Sequence, residues 1–526
     1  MTRTGRPTTL AFNGMVATPH SLASAAGLAV LREGGSAADA VIAANAVLTV
    51  IYPDQTSIGG DCFLIYHDAA SGKTVALNGS GRSPKAADRE RLRALGHASM
   101  PSRGIHSVTV PGTIDAWFAI NARFGRMGMD RLLAPAIGYA RDGFPVSPNL
   151  HDSLQHAQSH RWLDESFRST YFPGGAVLPT GSRMRLPELA MSLERIANEG
   201  RDLFYSGEIG ERLIATSSAL GGFMTADDLA GHRAEWVEPI YSDYRGVSVA
   251  EFPPNSQGIT ALIELNLAEQ RDEASWGTAE HLHPLIEAKK IAFDVRDRYL
   301  TDPAHAAINV EHLVSKSFAR ELWEHYDPAR AGTGNAALAG DTVYLCAVDA
   351  DGNAASLIQS IYLDFGSGVL VDGTGVVLQC RGAYFSLDDD HPNRLEGGKR
   401  PLHTLMPGML FQDGEMLGPI GAQGGDAQAQ VHLQLITNLV DYSMDPQQAI
   451  EAPRWVAGGR DPRSVGLEGR FAPSTIKGLA DWGHVVSVTD DWNIHFGHAQ
   501  MILRDPNTGL LKGGADPRAD GVAIGL

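Results

Sequence analysis

Residues 340–362 read GDTVYLCAVDADGNAASLIQSIY. Two alternating apolar runs, TVYLCAVD and AASLIQSIY, flank ADGN, and an Asp-Gly pair between such runs predicts an antiparallel hairpin. Gly352 and Asn353 read as residues of its turn. The start of the hairpin is less ordinary: Gly340 and Asp341 deliver a threonine, Thr342, to the first position of a strand. Propensity for strand is one reason to find threonine there. A nucleophile held in a rigid frame is another.

Outward from the hairpin, the chain mixes strands and helices without strict alternation. SLASAAGLAVLREGGSAADAVIAANAVLTVIYP (21–53) reads as two helices, separated by Gly34-Gly35, with Ser36 and Asp39 spaced as a capping pair. The second is apolar nearly all round, which predicts burial. PDQTSIGGDCFLIYHDAASGKTVALNGSGRSP (53–84) reads as strand, turn, strand. Residues 130–240 are mostly helical, and a long helix is expected within 278–303. GVVLQC, GMLFQDGEMLGPIGAQ and a helix within 426–442 follow the hairpin, and short strands close the chain. This interspersion favours an α+β layered sandwich over a doubly wound sheet.

Composition narrows the function. The 526 residues carry 61 acidic and 43 basic side chains, a formal charge of −18. Such an excess repels phosphate backbones and anionic membranes, so neither nucleic acid nor membrane is expected as a partner. Three cysteines, Cys62, Cys346 and Cys380, show no CxxC and form no even disulfide framework. The opening MTRTGRPTTLAFNGM lacks a secretory apolar run, and the longest apolar stretch, residues 40–52, is too short to span a bilayer. A cytoplasmic setting is the expectation. No metal is expected either: His156 and His160 lack a third ligand in a known pattern, and His281 and His283 are two apart on a helix. GSGRSP lacks the lysine of a phosphate loop, and no G-x-S-x-G occurs.

The run GDTVYLCAVDADGNAASLIQSIYLDFGSGV (340–369), followed by KRPLHTLMPGML, GAQGGDAQAQ and AIEAPRW, resembles the γ-glutamyltransferase family of N-terminal nucleophile hydrolases. EGGSAADAVIAANAVLTV, IGGDCF, FPPNSQGITAL and EAKKIAFDVRDRYLTDP fit the same family, so the likeness runs along essentially the whole chain. It implies an αββα fold, two stacked antiparallel sheets between helix layers, and places Thr342 at the catalytic position. It further implies self-cleavage between Asp341 and Thr342, giving a large subunit, 1–341, and a small one, 342–526, interwoven in one unit. A homodimer of that unit is compatible with the resemblance.

The chemistry needs no cofactor. A threonine hydroxyl is a poor nucleophile without a base beside it. Once the preceding peptide bond is cut, the α-amine of Thr342 has a reference pKa of about 7.7–8.0, so part of it is neutral at working pH and can take the hydroxyl proton. Nucleophile and base on one residue share a geometry at low entropic cost. By resemblance, Gly424 and Gly425 supply the oxyanion hole, and Ser360 is a hydroxyl supporting the nucleophile.

The substrate is read from departures. Family members hold a γ-glutamyl carboxylate with an arginine and a serine pair, which here correspond to Arg82 and to His403-Thr404. The asparagine and aspartate that would hold the α-ammonium correspond to Tyr362 and Tyr384, with Arg381 beside them. Unpaired like charges at such a site disfavour an ammonium. The expected substrate is a small amide with a carboxylate and no α-amino group, for which oxamate is the leading example and a glutaryl-type amide the next. A true γ-glutamyltransferase or glutathione hydrolase, and an uncleaved, non-catalytic homologue, are the alternatives.

Overall fold

In the computed structural model, which describes residues 5–334, 340–459 and 461–526, the alternation of the opening stretch becomes a division between two faces. The strand Asp341–Val348 pairs antiparallel with Ala354–Tyr362. Val343, Leu345, Ala347, Ala355, Leu357 and Ile361 pack into one apolar cluster with helix Ala37–Ile51. Tyr344, Cys346, Val348, Ala354 and Ile358 pack into another, with Phe63, Ile65, Met409 and Ile502 from other strands. Side chains repeat every two residues along a strand, so one face meets helices and the other meets a second sheet. By that parity Thr342 and Ser360 belong to the sheet-to-sheet side.

The hairpin lies at the centre of a seven-stranded sheet in the order Val522–Gly525, Met15–Thr18, Asp341–Val348, Ala354–Tyr362, Asp61–Asp68, Lys73–Gly79, Glu235–Val237. The second seven-stranded sheet runs Thr9–Ala11, Leu511–Ala515, Ala499–Arg504, Glu415–Ala422, Gly408–Gln412, Val247–Glu251, Ile240–Tyr244. On its outer face Leu262, Leu265, Leu285, Ile286 and Leu433 from three helices pack against Ile420 and Met501. Helix, sheet, sheet and helix therefore stack as the αββα sandwich. Within GVVLQC only Val376–Val377 forms strand, in a two-stranded ribbon with Leu370–Val371.

Three local devices hold the hairpin in place. At its tip Gly352 takes φ +87°, and the Asp349 carboxylate accepts from the Asn353 backbone and side-chain N–H groups and from the Ala37 N–H. The turn is thereby fastened to the start of helix Ala37–Ile51, whose Ser36–Asp39 capping box forms as the sequence predicts. Every residue of that helix is buried, including the polar side chains of Asp39, Asn45 and Thr49. Asn45 accepts from the Trp117 indole N–H at 2.8 Å and donates to Gln359 Oε1 at 2.7 Å, one residue before Ser360. Asn45→Ala should leave the Trp117 indole N–H buried and unpaired, while Gln359 Oε1 keeps the Thr56 hydroxyl, at a cost of about 1–3 kcal/mol; chemical denaturation of the purified protein measures it.

Candidate active site

Thr342 is 1% exposed. The pairing register joins Asp341 to Tyr362 and Val343 to Gln359, so a bulge sets two residues, Ser360 and Ile361, against Thr342. Bulges re-aim side chains next to the ladder they interrupt. Here the result is a cluster of three oxygens. Thr342 Oγ1 lies 2.6 Å from the Asp341 carbonyl oxygen and 3.1 Å from Ser360 Oγ. Ser360 Oγ donates to the same carbonyl at 2.5 Å and accepts from the Tyr362 N–H at 2.7 Å. A hydroxyl thus polarises the peptide carbonyl beside the threonine that would attack it.

The backbone around this cluster is unusual at three positions. Tyr362 has φ +78°, in the left-handed region that aromatic residues rarely adopt. Gly424 and Gly425 have φ +133° and +57°, and they lead through Asp426 into helix Ala427–Tyr442. Among the described residues, neither glycine N–H donates a hydrogen bond. Free N–H groups at a helix entrance favour an oxygen bearing negative charge. Gly340 lies against both features: a Cβ there would meet the Tyr362 ring at 3.3 Å and Gly425 Cα at 3.1 Å.

The residues expected to face a substrate carboxylate separate into two groups. Arg82 is a third exposed, and its guanidinium is occupied by Asp302 at 3.0 Å and Glu235 at 3.2 Å. His403 is fully buried; its Nδ1 accepts from the Leu405 N–H at 3.2 Å and its Nε2 pairs with Asp61 at 3.0 Å. Burial, with Arg381 adding to it, drives the His403 pKa well below the usual value, so the ring is neutral. In this structure both side chains are engaged by carboxylates: both nitrogens of the His403 ring are occupied, and Arg82 is held by Asp302 and Glu235 through its two terminal nitrogens.

Arg381 is different. It is 1% exposed, its NH2 donates to Thr404 Oγ1 at 3.0 Å, and its guanidinium carbon lies 4.1 Å from the Tyr362 ring centroid. Its NH1 is buried with no hydrogen-bond partner, and no carboxylate pairs with it among the described residues. Tyr384 completes this corner, its ring 5.7 Å from that of Tyr362. The Tyr384 hydroxyl donates to Asp426 at 2.6 Å, and Asp426 also pairs with Arg296 at 2.7 Å. The carboxylate nearest the tyrosines is therefore engaged by a cation already.

The gamma-glutamyltranspeptidase family model matches residues 23–526. The chain belongs to the gamma-glutamyltranspeptidase family. It is 44% identical to the glutathione hydrolase-like YwrD proenzyme of Bacillus subtilis over 523 residues, covering 97% of this chain and 98% of the relative. It is 38% identical to the oxamate amidohydrolase proenzyme of Klebsiella pneumoniae over 525 residues, covering 98% of each. Its fold superposes on the crystal structure of a cephalosporin acylase from Bacillus halodurans with TM-score 0.94 and 39% identity, over 100% of this chain and 98% of that one. As a member of this family the chain is an amide-hydrolysing enzyme with the layered N-terminal nucleophile fold.

Membership makes one further residue worth naming, which the sequence reading passed over. Gln55 Oε1 accepts from the Thr342 N–H at 3.2 Å, while its Nε2 donates to Asp341 at 3.3 Å and to Asp54 at 3.0 Å. The signal for it was a polar cluster, PDQTS, shortly after a fully buried helix. Withdrawal from solvent, reinforced by Asp364 and Asp54, pushes Asp341 up to about 7. Elsewhere, His283, Glu287 and His484 come within metal-ligating reach of one another. That cluster is closed by internal pairing: the two imidazoles share a 2.8 Å hydrogen bond and the Lys290 ammonium sits 2.8 Å from Glu287. His156 and His160 pack edge to face, 5.0 Å between ring centres.

Proposed function

We propose that the chain is the precursor of a self-processing N-terminal-threonine amidohydrolase whose substrate is a small amide carrying a carboxylate and no α-ammonium. The buried, unpartnered NH1 of Arg381 carries this reading. An unpaired cation withdrawn from water costs several kcal/mol unless an anion meets it. A carboxylate placed against Arg381 and Thr404 would supply two acceptor oxygens in the geometry a guanidinium prefers. The aromatic walls of Tyr362 and Tyr384 favour a short acyl group, and oxamate, giving oxalate and ammonia, is the first candidate. A glutaryl-type amide is the second, favoured by the similarity to a cephalosporin acylase.

Processing follows from the oxygen cluster. Thr342 Oγ attacks the Asp341 carbonyl carbon, the C–N bond breaks as the nitrogen takes up a proton, and an ester joins Asp341 to the threonine oxygen. Water then hydrolyses the ester, releasing the Asp341 carboxylate and a free Thr342 amine, with subunits 1–341 and 342–526. In turnover that amine accepts the hydroxyl proton, Thr342 Oγ forms an acyl-enzyme, and the Gly424 and Gly425 N–H groups hold the oxyanion. The departing amine takes the proton, and water completes the cycle. Gln55, now facing the free amine through Oε1, would orient it.

Steady-state hydrolysis of oxamate, glutaryl-anilide and γ-glutamyl-anilide tests the substrate. The first two should be preferred, and a γ-glutamyl preference would show that an ammonium is accepted beside Arg381. Gly424→Ala should lower kcat by about 100-fold, the usual effect of disturbing one oxyanion donor. The added Cβ is strained at φ +133° and would lie 3.3 Å from Gly497 Cα. Stopped assays on the cleaved variant measure it.

A further inference from the structure

Beyond the threonine lies a cavity of about 450 Å³, lined by Asp54, Asp152, Asp341, Asp364, Gln423 and Gly424 among others. Four carboxylates line it, and the described lining residues include no lysine or arginine. One of the four, Asp364, is balanced from behind by Arg103. The histidines of the wall are His156, His495 and His498, and burial lowers His498 to about 4, so it brings no positive charge at neutral pH.

Two buried oxygens of the wall are unsatisfied. Asp54 is 1% exposed; its Oδ2 accepts from Gln55 and Ser153, while its Oδ1 has no partner. Gln423 is 4% exposed, and its Oε1 is likewise unpartnered while its amide nitrogen sits 3.0 Å from His498 Nδ1. Buried acceptors without donors are costly, and a ligand rich in N–H groups relieves them. Burial pushes Asp54 up to about 6, which leaves it mostly ionised at pH 7.5.

From this wall we propose that the cavity is a binding site for the amine half of the substrate, and that it selects an amine bearing a second, cationic group. The assignment of halves rests on the proposed function: Arg381, Thr404, Tyr362 and Tyr384 do not line this cavity, so with the carboxylate held at Arg381 the amine is assigned to it, and exposed Asp152, Ile494 and His495 are lining residues that face solvent. Among amides with a substituted nitrogen the preferred one is then dipolar, anionic in the acyl part and cationic in the amine, whereas oxamate, whose amine half is ammonia, leaves this cavity unfilled. A cavity of one sign with low-dielectric walls concentrates the opposite charge.

Binding to the uncut Thr342→Ala chain, which retains this cavity, tests the inference without reference to turnover. By calorimetry, 4-(aminomethyl)aniline should bind at least tenfold more tightly than p-toluidine, and 4-aminobenzoate most weakly. Asp152→Asn, at an exposed lining position, and 0.5 M salt should each shrink the preference several-fold; Asp54→Asn should shrink it further. Equal affinities for the three amines, or no binding of the cationic one, overturns the inference. A preference unaffected by Asp152→Asn, Asp54→Asn and salt also overturns it, because the cation is then held elsewhere. If the amines bind equally while the amide panel ranks as proposed, the amidase reading stands and this one falls. If the cation binds as stated and no carboxylate-bearing amide is hydrolysed, the cavity is cation-selective and the acyl assignment fails instead.

Discussion

Thr342→Ala should yield one polypeptide on a denaturing gel and no measurable amide hydrolysis, where the parent chain should give two bands. The expectation follows from one atom serving both events. Thr342 Oγ1 is 2.6 Å from the Asp341 carbonyl oxygen, and Ser360 holds that oxygen from the other side. Removing the hydroxyl leaves a polarised peptide with nothing to attack it, and without cleavage no α-amine appears to act as base. Loss of an essential nucleophile lowers kcat by about 10⁶-fold in comparable machinery, so the residual rate should fall below detection. Thr342→Ser keeps the oxygen and should still cleave, more slowly because the smaller side chain is less well fixed in its rotamer. Ser360→Ala should cleave in between, since it removes the polarising donor while sparing the nucleophile. A fully active preparation consisting only of the intact chain would falsify the scheme outright.

Much of this was visible in the sequence, for identifiable reasons. The hairpin, the capping box at Ser36 and the all-round buried helix are local patterns, set by spacing within a few residues. The family motifs then gave the αββα layering and singled out Thr342. What failed to show was pairing across distance. Nothing near Arg82 announces that Asp302 and Glu235, far along the chain, occupy its guanidinium. Nothing near His403 announces that Asp61 closes off its ring. Matching a motif places a residue in space, whereas its free valences depend on neighbours the motif does not contain. Gln55 escaped for the same reason, because its importance lies in touching Thr342, Asp341 and Asp54 at once.

Arg381→Met should separate function from stability in opposite directions, and the comparison with Arg82→Ala decides which arginine takes the substrate carboxylate. For Arg381→Met, processing to two bands should persist, because no contact of Arg381 reaches the oxygen cluster except through the Tyr362 ring. Catalysis should suffer heavily. A charge-assisted, bidentate hydrogen bond contributes about 1.5–3 kcal/mol, so kcat/KM for a carboxylate-bearing amide should drop roughly 10–150-fold, mostly through KM. Stability should hold or rise: burial already depresses the Arg381 pKa, and an unpaired buried cation replaced by an apolar side chain of similar length relieves desolvation. Arg381→Lys keeps the charge but loses the planar fork, and should fall between parent and methionine variant. Arg82→Ala removes partly exposed ion pairs, which contribute about 0–1 kcal/mol each, and should change kcat/KM by no more than about threefold. If the two arginines exchange these outcomes, the carboxylate sits at Arg82 after its partners move aside, and the buried guanidinium of Arg381 must have a different anion to meet.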